Sequence, residues 1–167
     1  VDTYSSHPVY YNFSNRDDEP TLNYYEYGFQ NSRGFRALKV WMALQQAGKN
    51  GYIEMIGEDI ALSKLLFEEA KKHPALEAVT QNLSITTFRY VPADFSQDEA
   101  YLNTLNEKLL NALQQGGEVF LSNAVVADKY CLRCCIVNFR TSKQDILEIV
   151  EIIVREGRKI HEILQVK

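Results

Sequence analysis

Cys131-Leu-Arg-Cys134 has the two-residue spacing found in redox pairs and metal sites, where two sulfurs must reach each other or one ion. Its surroundings argue against both. A redox pair wants a helix N-terminus to stabilise a thiolate, whereas Tyr130 to Phe139 reads as a strand. A zinc site wants four ligands; no second cysteine pair occurs, and His7, His73 and His161 are scattered. Cys131, Cys134 and Cys135 therefore read as buried, reduced core residues, and no metal is expected. An odd, clustered set does not suit a secreted disulfide framework, and a reducing cytoplasm is the expected compartment.

Arg133 stands out between Leu132 and Cys134-Cys135-Ile136-Val137. A guanidinium in so apolar a run requires a partner, because an unpaired buried charge costs several kcal/mol. No acidic residue occurs between Lys129 and Thr141. The partner is either a distant Asp or Glu or the carboxylate of a ligand, which arginine's planar fork grips at two points; the strand alone leaves both open. A second unusual group lies at the other end of the chain. Residues 1–30 hold six of the ten tyrosines (Tyr4, Tyr10, Tyr11, Tyr24, Tyr25 and Tyr27) without lasting helical or strand periodicity. Aromatics with no local element to bury them point to a functional loop that meets protein elsewhere. No Ser-His-Asp order, phosphate-cradling glycine loop or set of paired carboxylates rises above chance.

The elements that must position these residues follow from pattern. Ser32 caps a helix running to about Gly48, with Phe35, Leu38, Trp41 and Met42 at helical spacing. Gly48 and Gly51 interrupt, and Tyr52, Ile53, Ile56, Ile60, Leu65, Leu66 and Ala70 mark a second helix that stops before His73-Pro74. Leu83 to Val91 reads as a strand. Ser96-Gln-Asp-Glu99 reads as a capping box opening a helix with Leu102, Leu105, Leu109 and Leu113 on one face, stopped by Gly116-Gly117. Val119 to Leu121 and Tyr130 to Phe139 are two further strands, joined as a hairpin through Val126-Ala-Asp-Lys129. Ser142-Lys-Gln-Asp145 caps a last helix, with Ile146, Ile149, Val150, Ile153 and Ile160 as its apolar stripe. The order strand, helix, strand, strand, helix implies an α+β fold, a small antiparallel sheet with helices on one face, preceded by a long loop and helix.

Composition sets the outer limits. At 167 residues the chain suits one ordinary domain, and 46% hydrophobic with 24% charged residues is a normal globular balance. No apolar stretch approaches membrane-spanning length, no signal peptide opens the chain, and no membrane partner is expected. A net charge of −4 without a basic aromatic patch gives no reason to expect nucleic acid.

Three segments carry a resemblance. Ser32-Arg-Gly-Phe-Arg-Ala-Leu-Lys-Val-Trp41 resembles the helix-opening signature that follows the mobile loop of group II pyridoxal-phosphate (PLP) dependent amino-acid decarboxylases, which include aromatic-L-amino-acid, tyrosine and glutamate decarboxylases. His7-Pro-Val-Tyr-Tyr11 resembles the segment with that family's loop tyrosine, and the interval from Tyr10 to Arg33 matches the aromatic branch without a gap. Tyr130-Cys-Leu-Arg-Cys-Cys-Ile-Val-Asn138 resembles the strand with its carboxylate-binding arginine. Gly34 stands where animal members often carry a second arginine, and Asp128 where a hairpin glycine is common.

The resemblance implies the C-terminal part of such an enzyme, with residues 1–31 as a catalytic-loop segment, 32–50 as a connecting helix and 51–167 as the C-terminal α+β domain of a PLP-dependent transferase-like fold. It implies that Arg133 holds the carboxylate of an L-amino-acid substrate, that Tyr10 returns a proton to the α-carbon as general acid, and that Arg33 supports the loop's anchor. It also implies a homodimer in which the loop closes over the neighbouring subunit's site. The family anchors PLP on a lysine that follows a histidine; here Lys72-His73 has the reverse order, so that lysine is expected upstream of Val1 and the chain alone is expected to be inactive. The competing readings are a non-enzymatic α+β ligand-binding or dimerisation module and another PLP enzyme of related fold.

Overall fold

The computed structural model of the chain describes residues 24–30, 34–93 and 98–166. It divides into two compact units, Val1–Gly48 and Lys49–Lys167. Within the first, Tyr24–Tyr27 form a single 3-10 turn, and α1 (Ala37–Lys72) begins. The break expected between two helices is present within this span, at Gly48 alone. Only Gly48 leaves the helical region (φ 63, ψ 179), a conformation that an L side chain resists, while Gly51 stays helical. Before Gly48, the side chains of Leu38, Val40, Trp41, Met42 and Leu44 are all exposed.

The second unit is a four-stranded antiparallel sheet in the order β1-β2-β4-β3, with β1 (Leu76–Asn82), β2 (Ile85–Tyr90), β3 (Ser122–Val126) and β4 (Lys129–Cys135). Helix α2 (Glu99–Gly116) joins β2 to β3, and α3 (Lys143–Gln165) follows β4. The α+β class and the β2-α2-β3-β4-α3 order agree with the sequence pattern. The boundaries differ in physically informative ways. β1 has no counterpart among the expected strands; it pairs with β2 through a bulge between Ala78 and Thr80 that breaks its alternation. The strand expected at Val119 to Leu121 is not formed there; β3 lies wholly after it, at Ser122–Val126, since Leu121 is buried and gives its carbonyl to the Gln114 side chain (2.7 Å). β4 stops at Cys135, not Phe139.

The helix ends show the same mixture. The N-cap of α2 is Asp98, whose carboxylate accepts from Tyr101 N at 2.9 Å; the Ser96 expected there lies outside the described residues. Gly117 closes α2 with a left-handed backbone (φ 78). Ser142 and Asp145 form the expected reciprocal capping box of α3.

Strand alternation divides the sheet into two faces. Phe88 and Tyr90 of β2 and Leu132 and Cys134 of β4 join Leu66 of α1, Leu105, Leu109 and Leu113 of α2, and Ile146, Val150 and Ile153 of α3 in one core. Each fully buried aliphatic or aromatic side chain contributes about 1.5–3 kcal/mol. On the same face, the Ser63 and Thr86 hydroxyls lie 2.9 Å apart, with Thr86 Oγ1 also donating to Ser63 O. The helices thus cover one face, leaving Thr87, Arg89, Cys131 and Arg133 on the other. Beyond the last β2–β4 pair, Phe88 with Leu132, the strands part around α2. Asn106 satisfies both main-chain groups of Tyr90 (2.8 and 2.9 Å), and Asn103 accepts from Tyr130 N (2.7 Å), so the backbone lost to the ladder is satisfied by side-chain amides.

Candidate functional site

β4 runs between two neighbours, which fixes the direction of each of its side chains. Arg133 faces Thr87 across β2 and Ser122 across β3, on the face away from the helices. The residue as a whole is half-buried. Among the described residues its one side-chain partner is Ser122, whose Oγ accepts from Nη1 over a long 3.3 Å. The Ser122 hydroxyl also lies 3.4 Å from the Arg133 carbonyl, to which it donates. On the other side Thr87 is turned away: its Oγ1 lies 2.6 Å from Thr80 Oγ1 and accepts from Thr80 N at 3.1 Å. Arginine carries five N–H donors in a rigid fork, so most of the donors of Arg133 remain to be used.

Arg89, on the same face, is the contrast. It is 2% exposed and fully engaged, with Nε on Glu77 (2.6 Å) and Nη1 and Nη2 on the two oxygens of Glu99 (2.6 and 2.9 Å). Lys129 donates to the second oxygen of Glu77 at 2.5 Å. Burial pushes the Glu77 carboxyl up, but the hydrogen bonds from Lys129 and Arg89 outweigh it and hold the group below its usual range. The Arg89 hydrogen bonds hold the Glu99 carboxyl low as well. Two arginines on one face thus differ: Arg89 ties the start of α2 to the sheet, and Arg133 makes, among the described residues, one long side-chain bond to Ser122.

The cysteine pair does not form a site. Cys131 and Cys134 occupy odd and even positions of β4 and point to opposite faces, so they cannot share an ion or a disulfide. Among the described residues no three His, Cys, Asp or Glu side chains cluster to hold a metal. Burial pushes the Cys131 thiol up and the Cys134 thiol up to about 11, which keeps both protonated and unreactive. Cys135 corrects the reading of all three as core: it is exposed.

Tyr10 and Arg33 lie outside the described residues. Ser122 and Arg89 were not singled out by the sequence. The reasoning that flagged Arg133 applies equally to Arg89 within the Leu83 to Val91 strand, so that signal was present; Ser122 becomes visible only through the pairing register of β3 and β4.

No protein-family profile matches the chain. Individual proteins do. The aromatic-L-amino-acid decarboxylase of Bacillus atrophaeus is 32% identical over 149 residues, 89% of this chain and 31% of that protein. Tyrosine decarboxylase 2 of Arabidopsis thaliana is 28% identical over 160 residues, 95% of this chain and 29% of its own length. The chain is a relative of the aromatic-amino-acid decarboxylases. It spans about three tenths of the length of these curated relatives, in their C-terminal part. A phenylacetaldehyde synthase of Arabidopsis thaliana also matches, at 30% identity over 81% of this chain and 28% of that protein.

Solved structures agree on the fold of this decarboxylase relative. Oryza sativa TDC, crystallised with PLP and tryptamine, superposes with a TM-score of 0.68 at 23% identity, over 77% of this chain and 28% of the other. Mouse CSAD in apo form gives 0.73 at 19% identity, over 85% of this chain and 32% of its own. Lys129, the lysine on the face of Arg133, has its ammonium on Glu77.

Proposed function

We propose that this chain is the C-terminal part of a PLP-dependent L-amino-acid decarboxylase and that Arg133 is the group that holds the substrate's α-carboxylate. One observation carries the reading: a half-buried arginine on the face away from the core whose single side-chain hydrogen bond, among the described residues, is the long one to Ser122. Two of its remaining donors match a carboxylate in parallel, and the charge that has no acidic partner among the described residues becomes paired when substrate arrives.

PLP supplies the electron sink that lets the carboxylate leave as carbon dioxide, and its anchoring lysine belongs, on this reading, to a part of the protein upstream of Val1. What this chain contributes is placement and a proton. Arg133 orients the carboxylate. Tyr10, on the resemblance of its segment, is the general acid that protonates the α-carbon, and Arg33 steadies the end of its loop. Residues 1–31 then form the loop, 32–50 the connecting helix and 51–167 the C-terminal domain, in a cytoplasmic homodimer whose loop excludes water from the neighbouring site. The aromatic-L-amino-acid and tyrosine decarboxylases among the relatives favour an aromatic substrate.

The test uses the whole protein with its upstream part. Arg133→Ala should raise KM for L-tyrosine or L-tryptophan by about a hundred-fold, the cost of losing a close charge pair, while PLP absorbance is retained. Unchanged KM and turnover would remove Arg133 from the site. Tyr10→Phe should abolish amine formation with PLP still bound, and wild-type turnover in that variant would remove Tyr10 from the mechanism. The phenylacetaldehyde synthase among the relatives supports a second reading, aldehyde rather than amine formation; product analysis of the wild-type protein separates the two.

A further inference from the structure

We infer that Ser122 is a positioning residue for substrate recognition, holding the Arg133 guanidinium in the attitude that receives a carboxylate; the inference rests on the carboxylate-binding role proposed for Arg133. Ser122 sits on β3, the edge strand, as the Cα partner of Arg133 on β4. A serine hydroxyl is free to rotate and can present either its proton or its lone pairs. Here the Arg133 carbonyl, 3.4 Å away, takes the proton, which turns the lone pairs toward the guanidinium, and Nη1 donates to them at 3.3 Å. The residue that needs orienting thereby orients its own acceptor.

The opposite side of Arg133 has no such device. Thr87 spends its hydroxyl on Thr80, across a 2.6 Å contact and a bond from Thr80 N. The guanidinium is consequently tethered from β3 alone, through one nitrogen. That leaves Nε and Nη2 unclaimed by the described residues. A carboxylate approaching the guanidinium meets donors that are held in direction but not consumed by the described residues. Both bonds are long, so the tether limits the arc of the guanidinium rather than competing with substrate for it.

The predicted signature separates positioning from mere packing, because an amino acid and its decarboxylated amine differ in the group Arg133 would grip. In the whole enzyme, Ser122→Ala should raise KM for L-tyrosine by about five-fold, the worth of one long, weak hydrogen bond. The inhibition constant of tyramine, which has no carboxylate, should not move. kcat and the thermal midpoint should stay near wild type, and Ser122→Thr, which keeps a hydroxyl, should restore KM. If Ser122→Ala shifts tyrosine and tyramine equally, or shifts neither, the positioning role is overturned. Arg133→Ala read in parallel keeps the two ideas apart. If it removes the preference for tyrosine over tyramine and Ser122→Ala does not, only the role of Ser122 fails. If Arg133→Ala leaves that preference intact, the carboxylate reading itself fails.

Discussion

Gly157 of α3 lies so close to the ring of Tyr90 of β2 that a methyl group at position 157 would sit 2.6 Å from the ring's Cγ and 2.7 Å from Cδ2. The absence of a side chain there is what lets α3 settle onto the sheet. Gly to Ala in an open helical position stabilises by about 0.5–1 kcal/mol; at Gly157 the sign should reverse. Gly157→Ala is expected to cost about 1–3 kcal/mol, the usual effect of overpacking, read as a lower urea midpoint. In a Tyr90→Leu background the same substitution should cost much less, and a double-mutant cycle that gives simple additivity would show that the ring is not the obstacle.

The Glu77–Arg89–Glu99 group should give the second unit an acid-labile component. The folded Glu77 carboxyl titrates below its usual range, although burial opposes this, because Lys129 and Arg89 bond to it. A group depressed in the folded state adds stability above its unfolded pKa and loses it as pH falls through the folded value. Stability should therefore be level near neutrality and decline below the ordinary carboxylate range, the decline continuing to the lower folded value. Glu77→Gln should flatten part of that decline in urea titrations at successive pH values. Arg89→Met, which leaves both acids without their arginine, should lose about 1.5–3 kcal/mol at pH 7, the range for a hydrogen bond to a charged group. An acid profile unaltered by Glu77→Gln would show that the pair contributes nothing to folding.

The β3–β4 hairpin carries correctable strain. Ala127 and Asp128 both have positive φ (50 and 63), as a two-residue turn matching the sheet's twist requires. Asp tolerates that region, and Asn103 donates to its carbonyl at 2.9 Å. Alanine does not, and a left-handed L-residue costs about 1–2 kcal/mol. Ala127→Asn should therefore raise the thermal midpoint, with a gain of about 1 kcal/mol in denaturant. No gain would place the strain elsewhere.

These elements show where sequence reading succeeds. α2, α3 and β2 carry their own signals: leucines on one face, a capping box, a β-branched run. β1 does not, because an edge strand with a bulge shows neither clean alternation nor a continuous apolar run, and Glu77, Thr80 and Gln81 look like loop. The start of α2 fell to Asp98 rather than to the Ser96 that the capping-box pattern pointed to. Arg133 was legible as a charge out of place, but its direction was not, since that depends on which residues of β2 and β3 it faces. Arg89 is satisfied by residues 12 earlier and 10 later in the chain, partners that no local pattern reveals.

Thiol labelling of this chain gives a direct check on the β4 register. Cys135 is exposed while Cys131 and Cys134 are buried, and burial holds the Cys134 thiol at about 11. Iodoacetamide at pH 8 should modify Cys135 rapidly and the other two only on unfolding, as mass spectrometry of the peptides would show. Rapid modification of Cys134 in the folded chain would mean that β4 pairs in another register.

β4 lies between β2 and β3, and the pairing that seats Leu132 and Cys134 in the core is the same pairing that aims Arg133 outward. A slip by one residue would exchange the two sets. The core therefore acts as a proofreader: a molecule with its arginine misdirected has also lost its buried face, and it unfolds before it can present a wrong site. β3 is under weaker supervision. With a single strand for a neighbour, position 122 can be exchanged without disturbing that check, which makes this margin of the sheet the place where the setting of Arg133 can be altered at least cost to the fold.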